Sequence, residues 1–292
     1  MHGCGNDFIV FDDEQDRFSW DELSQLARRY CPRRFGVGAD GLIAIGRHPG
    51  ADYEMRYVNA DGSRAEMCGN GIRCVGKFVG DELGDIRSHI KVMTGNGVLP
   101  ISLSRLAGKV DSITVGMGVP GLKAASIPTT LKPISEPVLA TELAVDGTIL
   151  SLTAVNMGNP HAVSFVDSIT DQLVLGIGPQ VEKHPVFPEG VNVEFVQVLA
   201  PENLRMRVWE RGVGETWACG TGACATVVAA VLNGHSRPGS DVTVKLNGGK
   251  LIINWPGEGK DVQMTGPAEF EFFGELDPAT GAFSAESPAV PA

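Results

Sequence analysis

The amino-acid sequence predicts an α/β chain of the α+β kind, built from two homologous domains, each a mostly antiparallel or mixed sheet wrapped around a central helix. Three observations carry this expectation. Part of the first half recurs in the second half. Short runs of apolar alternation outnumber helical runs, and two of the three expected helices begin at the recurring motif.

The recurrence comes first because a missed repeat misreads the whole fold. Residues 55–74 read MRYVNADGSRAEMCGNGIRC and residues 206–225 read MRVWERGVGETWACGTGACA. They superpose without a gap: Met55 falls on Met206, Arg56 on Arg207, Cys68 on Cys219, Gly69 on Gly220 and Gly71 on Gly222. Asn96-Gly97 falls on Asn247-Gly248 at the same offset. Upstream, Gly5-Asn6-Asp7-Phe8 recurs more loosely as Gly158-Asn159-Pro160-His161. Three matches in one order mark a duplication.

Taken in order, the strands are read from period-two apolar alternation. In the first half they fall at Phe8 to Phe11, Glu54 to Val58, Ile90 to Met93 and Val98 to Leu103. In the second half they fall at Ala162 to Val166, Val191 to Val198, Leu204 to Trp209, Val242 to Leu246 and Lys250 to Trp255. A serine cap and helical apolar spacing place a helix over Ser19 to Tyr30. Two more start at the repeated motif, Gly69 to Asp81 and Gly220 to Asn233, the latter stopped by Asn233-Gly234. Gly116 to Pro120 reads as a crossover and Met264 to Pro267 as a return, which divides the chain into 1–117 plus 266–292 and 118–265. The Pro-, Ala- and Ser-rich residues from Asp277 onward show no periodicity and read as a frayed tail.

Composition narrows the function classes. With 24 basic against 35 acidic side chains and a net charge of −11, the chain repels nucleic-acid backbones and anionic membranes at long range. No apolar run has transmembrane length and no signal peptide opens the chain, so a cytoplasmic protein with a small-molecule partner is expected. Six cysteines without a signal peptide argue for reduced thiols rather than a disulfide framework.

Cys68-Gly69-Asn70-Gly71 and Cys219-Gly220-Thr221-Gly222 each precede an apolar-periodic helix. A helix N-terminus offers unpaired N–H groups and a dipole that favours negative charge, which stabilises a thiolate and lets a carboxylate approach the glycines. An isolated cysteine there is more often a packing residue. One that recurs in both copies is read as chemistry, whereas Cys4, Cys31, Cys74 and Cys224 are read as packing. Two thiols acting on opposite faces of one carbon, one as thiolate and one as thiol, suit inversion of a centre α to a carboxylate. No pyridoxal-phosphate lysine context, dinucleotide fingerprint or P-loop stands out, so no cofactor and no metal are expected.

The chain resembles the diaminopimelate epimerase family over nearly its whole length. His2-Gly3-Cys4-Gly5-Asn6-Asp7-Phe8, Asn59-Ala60-Asp61-Gly62, Cys68-Gly69-Asn70-Gly71, Met157-Gly158-Asn159-Pro160-His161, Glu210-Arg211-Gly212 and Cys219-Gly220-Thr221-Gly222 fit its pattern in order. The resemblance implies two domains about a pseudo-two-fold axis with the active site in the cleft, and interconversion of LL- and meso-2,6-diaminopimelate on the route to lysine and cell-wall precursors. It implies Cys68 and Cys219 as the acid–base pair, with His161 and Glu210 assisting. Asn6, Asn59, Asn159, Asn192, Glu210 and Arg211 are implied substrate contacts, and the backbone at Gly69-Asn70 and Gly220-Thr221 the carboxylate cradle. A homodimer is a further implication. The rival readings are a racemase of another amino acid on the same fold and, from another class, a thiol-redox or metal-binding protein.

Overall fold

The computed structural model describes residues 1–65, 68–278, 280 and 282–286. The chain divides into two compact units, Met1–Val115 with Gly266–Ala292, and Gly116–Thr265.

In the first unit the strands are β1 (His2–Gly3), β2 (Asn6–Asp12), β3 (Gly41–His48), β4 (Ala51–Asn59), β5 (Arg64–Ala65), β6 (His89–Thr94), β7 (Gly97–Leu106) and β8 (Lys109–Gly116). β2 runs parallel to β3 with Phe8 opposite Gly41, and β3 runs antiparallel to β4 with Gly41 opposite Asn59. β4 is parallel to β6, and β6, β7 and β8 continue antiparallel. The two parallel joins need crossovers, supplied by α1 (Trp20–Tyr30) and α2 (Gly69–Asp81).

Ser19 caps α1 in a full capping box with Glu22, as the sequence predicts. Leu23, Ala27 and Cys31 pack on Leu42, Ala44 and Val58. Ile43, on the other face of β3, lies against the start of α2, where a Cβ on Gly71 would meet its Cδ1 at 3.0 Å. With helices over both faces, β3 is an unbroken apolar run, Leu42 to Ile45, all 0% exposed. A strand of that kind has no alternation to read, which is why the sequence reading passed over it. Farther along α2, a Cβ on Gly80 would come within 2.4 Å of Val110 Cγ2, so glycine there sets how closely the helix seats on the sheet.

The second unit repeats the plan. Its strands are β9 (Thr141–Val145), β10 (Thr148–Asn156), β11 (Pro160–Phe165), β12 (Asn192–Ala200), β13 (Asn203–Glu210), β14 (Gly214–Thr216), β15 (Asp241–Leu246), β16 (Gly249–Asn254) and β17 (Gln263–Gly266). β11 is parallel to β12 with His161 opposite Asn192, β12 antiparallel to β13, and β13 parallel to β15. The sequence of parallel and antiparallel joins is that of β2, β3, β4 and β6. The first crossover holds a π-helical stretch, Gln172–Ile177, running into α3 (Gly178–Glu182). The second is α4 (Gly220–Leu232), buried from Gly222 through Ala230 and therefore apolar all round, as a central helix must be.

Like β3, the strands β8, β9 and β10 are not among those read from the sequence, and two further regions depart from it. The helix over 172–182 was not anticipated, because Gly176, Gly178 and Pro179 read as breakers and no side chain caps it. The residues expected to fray after Asp277 include a strand: β18 (Phe273–Leu276) pairs antiparallel with β19 (Phe283–Glu286). Tyr30 Oη donates to Asp277 O at 2.7 Å and Arg29 Nη1 to Pro278 O at 3.0 Å, which ties this hairpin to α1. Residues 287–292 of the expected tail lie outside the described residues.

Candidate active site

Each recurring cysteine is the N-cap of the central helix of its unit, in extended backbone, at φ −139° for Cys68 and −125° for Cys219. That conformation turns the chain out of a strand connection and into the helix, whose first N–H groups lack intrahelical partners; Cys219 Sγ accepts from one of them, whereas Cys68 makes no such cap bond.

On the Cys68 side the sulfur lies against an amide. Cys68 Sγ lies 3.5 Å from Asn6 Oδ1, which also accepts from Asn70 Nδ2 at 3.1 Å. Asn6 is fixed in turn by donating Nδ2 to Asp40 Oδ2 at 2.6 Å, while Arg33 grips Asp7 with both Nη atoms at 2.8 Å. Burial pushes the Asp7 carboxyl up, but this grip and contacts with Asp40 leave it below the usual carboxylate range. Arg73 is fully buried under the first turn of α2, donating to Gly69 O at 2.9 Å, Asn70 Oδ1 at 3.0 Å and Pro267 O at 3.1 Å. Asn59 lies at the end of β4, its Nδ2 donating to Ser63 Oγ at 2.9 Å.

Around Cys219 the partners are ionisable. Its Sγ accepts from Gly222 N at 3.4 Å and lies 3.5 Å from Thr221 Oγ1. Glu210, at the end of β13, accepts from Thr216 Oγ1 and contacts the Cys219 thiol. Burial raises the Glu210 carboxyl above its ordinary value, against hydrogen bonds from Thr216 and Cys219 that lower it. The Cys219 thiol is itself raised well above the usual thiol range, by burial first and then by the charges of Glu210 and Glu194. The helix start was expected to favour the thiolate here. At a cysteine only 5% exposed, with carboxyls alongside, desolvation outweighs the helix dipole.

His161 is fully buried between two partners, with Nδ1 2.6 Å from Glu194 Oε1 and Nε2 2.9 Å from Asn159 Oδ1. Glu194, also 0% exposed, was not singled out from the sequence, and its Oε2 has no hydrogen-bond partner among the described residues. A Cβ on Gly222 would stand 2.8 Å from Glu194 Oε1, so glycine at that helix position makes room for this carboxylate beside Cys219. The only sequence signal was one acidic residue, Glu194, within the apolar run Val191 to Val198. Asn192 is 3% exposed and holds backbone, donating to Pro160 O at 2.8 Å and accepting from Arg211 N at 3.0 Å. It thereby sets the turn from which the exposed Arg211 extends, with Nη1 on Glu189 O at 3.0 Å.

Within the first unit, Asn6, Gly69 and Asn70 therefore gather at Cys68. Within the second, Glu210, Gly220 and Thr221 gather at Cys219, while Glu194 joins His161 and Asn159 to the same neighbourhood. A separate cavity of about 540 Å³ in the first unit is lined by Phe8, Phe11, Phe18, Phe270, Phe273 and others, and includes none of the site residues.

A family model described as diaminopimelate epimerase matches residues 1–123 and 153–271. A diaminopimelate epimerase of Pelotomaculum thermopropionicum is 50% identical over 275 residues, covering 94% of this chain and 96% of that protein. The chain belongs to the diaminopimelate epimerase family. Another relative of that description, from Desulfitobacterium hafniense, is 48% identical over 277 residues, covering 94% of this chain and 96% of its own. Among solved structures, a phenazine biosynthesis protein of the PhzF family from Bacillus anthracis aligns with TM-score 0.64 at 15% identity, covering 88% of this chain and 89% of its own. A hydroxyproline epimerase from Agrobacterium vitis aligns with TM-score 0.61 at 16% identity, covering 91% and 87%. At such identities the likeness concerns the fold, which the family shares with both.

Proposed function

We propose that the protein interconverts LL- and meso-2,6-diaminopimelate without a cofactor, with Cys68 and Cys219 exchanging protons with one α-carbon. The observation that carries this reading is the same device in both units, a cysteine at the N-cap position of a glycine-rich central helix, in a chain half identical to a diaminopimelate epimerase over nearly full length.

The thiolate of one cysteine takes the α-proton and becomes a thiol. The electron pair left on carbon delocalises toward the α-carboxylate, and the thiol of the other cysteine delivers its proton to the opposite face, becoming the thiolate. The N–H groups at Gly69-Asn70 and Gly220-Thr221 stabilise the charge that builds on the carboxylate. Glu210 is the local base for Cys219: a carboxyl raised by burial takes a proton from a thiol far more readily than an ordinary one. His161, held by Glu194 and Asn159, is the second assisting group. Asn6, Asn59, Asn159 and Arg211 bind the amino and carboxylate groups of the substrate, with Asn192 placing Arg211. Arg211 suits the distal carboxylate because a guanidinium grips two oxygens at once. We place this activity in the cytoplasm and assign the protein a homodimer, which the native mass from sedimentation equilibrium in an analytical ultracentrifuge tests.

The decisive experiment is deuterium uptake from heavy water during stereoinversion, in wild type, Cys68→Ala and Cys219→Ala. Label at the inverted α-carbon in wild type, with inversion lost in both variants, is expected. Inversion that survives in either variant overturns the two-thiol reading.

A further inference from the structure

Tyr57 lies on β4 two residues before Asn59, so both side chains leave the same face of the strand. Its ring meets Phe8 edge-on, with centroids 5.7 Å apart at 83°. The ring also fills the space that a side chain at position 41 would need, since a Cβ on Gly41 would come within 2.5 Å of Tyr57 Cε2. Glycine on β3 and tyrosine on β4 thus form one packed unit, which fixes the phenol in place.

The residue is 8% exposed, yet its hydroxyl forms no hydrogen bond with any described residue. A tyrosine buried to that degree ordinarily spends its O–H on a partner. Burial, and then the nearby Cys68 and Asp40, push its ionisation upward, so it remains a neutral donor throughout the working pH range. The phenol is therefore rigidly held on the face of β4 that carries Asn59, within electrostatic reach of Cys68, and has a hydrogen to give.

We propose that Tyr57 is a substrate-binding residue whose phenolic O–H donates a hydrogen bond to a carboxylate oxygen of the amino acid bound beside Cys68. A carboxylate is the fitting acceptor because the N-terminus of α2 draws an anion to the same place. The inference rests on reading Cys68 as a reacting thiol.

The test is Tyr57→Phe, which removes one oxygen and leaves the Phe8 and Gly41 packing as it is. Since that oxygen bonds none of the described residues, the midpoint of thermal unfolding is expected to hold. KM for diaminopimelate is expected to rise about ten- to a hundredfold, the scale of a lost hydrogen bond to a charged group, and kcat to change far less, the pattern of lost ground-state binding. A KM within threefold of wild type overturns the proposal, as does a drop in the unfolding midpoint, which would assign the hydroxyl to the fold. Wild type that fails to invert diaminopimelate overturns the functional reading and this inference with it, and the wild-type control separates that outcome from a failure of Tyr57 alone.

Discussion

Replacing Glu210 by Gln separates the chemistry of the Cys219 half-site from its architecture. The amide keeps the shape of the carboxyl and an oxygen to accept from Thr216 Oγ1, so the loss of a neutral hydrogen bond, about 1 kcal/mol, bounds the direct cost to the fold. What disappears is the group that can take the proton of Cys219, a thiol held well above its ordinary range by burial, Glu210 and Glu194. Loss of a positioned general base lowers rates about 10²- to 10⁴-fold, or about 3–5 kcal/mol of barrier. The stability effect has a definite sign. Burial raises the Glu210 carboxyl in the folded state, so the fold favours its protonated form, and that contribution is full below the unfolded value of about 4.3 and lost as pH rises through the folded one. The variant cannot ionise there, and its unfolding midpoint relative to wild type is expected to be higher at pH 8 than at pH 4. Initial rates of α-deuteration by proton NMR, with melts at both pH values, measure the two effects on one preparation. A kcat/KM within threefold of wild type at pH 8 refutes the assignment of Glu210 as base.

Three further outcomes follow from the geometry. Glu194→Gln removes the charge that orients His161 through a 2.6 Å contact, and is expected to lower kcat at least tenfold and to shift the pH–rate profile; an unchanged profile counts against a role for this pair. Cys31 and Cys74, each pushed up to about 12 by burial first, are expected to escape iodoacetamide at pH 8 in native protein, and mass spectrometry of tryptic peptides checks it. Arg87 hydrogen-bonds the Asp85 carboxyl and lowers it to about 2, against a smaller upward push from burial. Stability from this pair is present above the unfolded value of about 3.9 and lost as pH falls toward 2, so Arg87→Ala is expected to narrow the gap between unfolding midpoints at pH 5 and pH 3.

Much of the scaffold was legible because the duplication shows each element twice. The bounds of α2 and α4 follow from Cys-Gly-x-Gly, where the chain must leave a strand and enter a helix, and Ser19 with Glu22 announces α1. The strand β3 was hidden because burial on both faces erases alternation, and the helix over 172–182 because tertiary packing of Val174, Ile177 and Val181 carries it without a cap. The two cysteines could be found by pattern, since a thiol at a helix start has a local meaning. Glu194, Arg73 and Tyr57 could not, because each matters only through what the fold sets beside it. The proton affinity of Cys219 was misjudged for the same reason: the helix dipole is visible in the sequence, while desolvation is visible only in the structure.

The duplication also accounts for how the two-thiol site we propose becomes unequal. Positions that match between the copies carry Asn59 against Glu210, Phe8 against His161 and Gly41 against Asn192. In the first unit the sulfur meets the amide of Asn6, and the carboxylates of Asp7 and Asp40 behind it share the guanidinium of Arg33. In the second unit the sulfur meets carboxyls that raise its proton affinity. Two identical copies would surround their thiols alike, with nothing in the protein to make one the proton donor and the other the acceptor before substrate arrives. Exchanging Asn59 for Glu, or Glu210 for Asn, would therefore narrow the difference and not merely remove a side chain, with Glu194 and His161 still on one side only. The backbone plan that supports both half-sites can stay constant because strand pairing and helix entry depend on β-propensity, glycine and burial, none of which these substitutions alter.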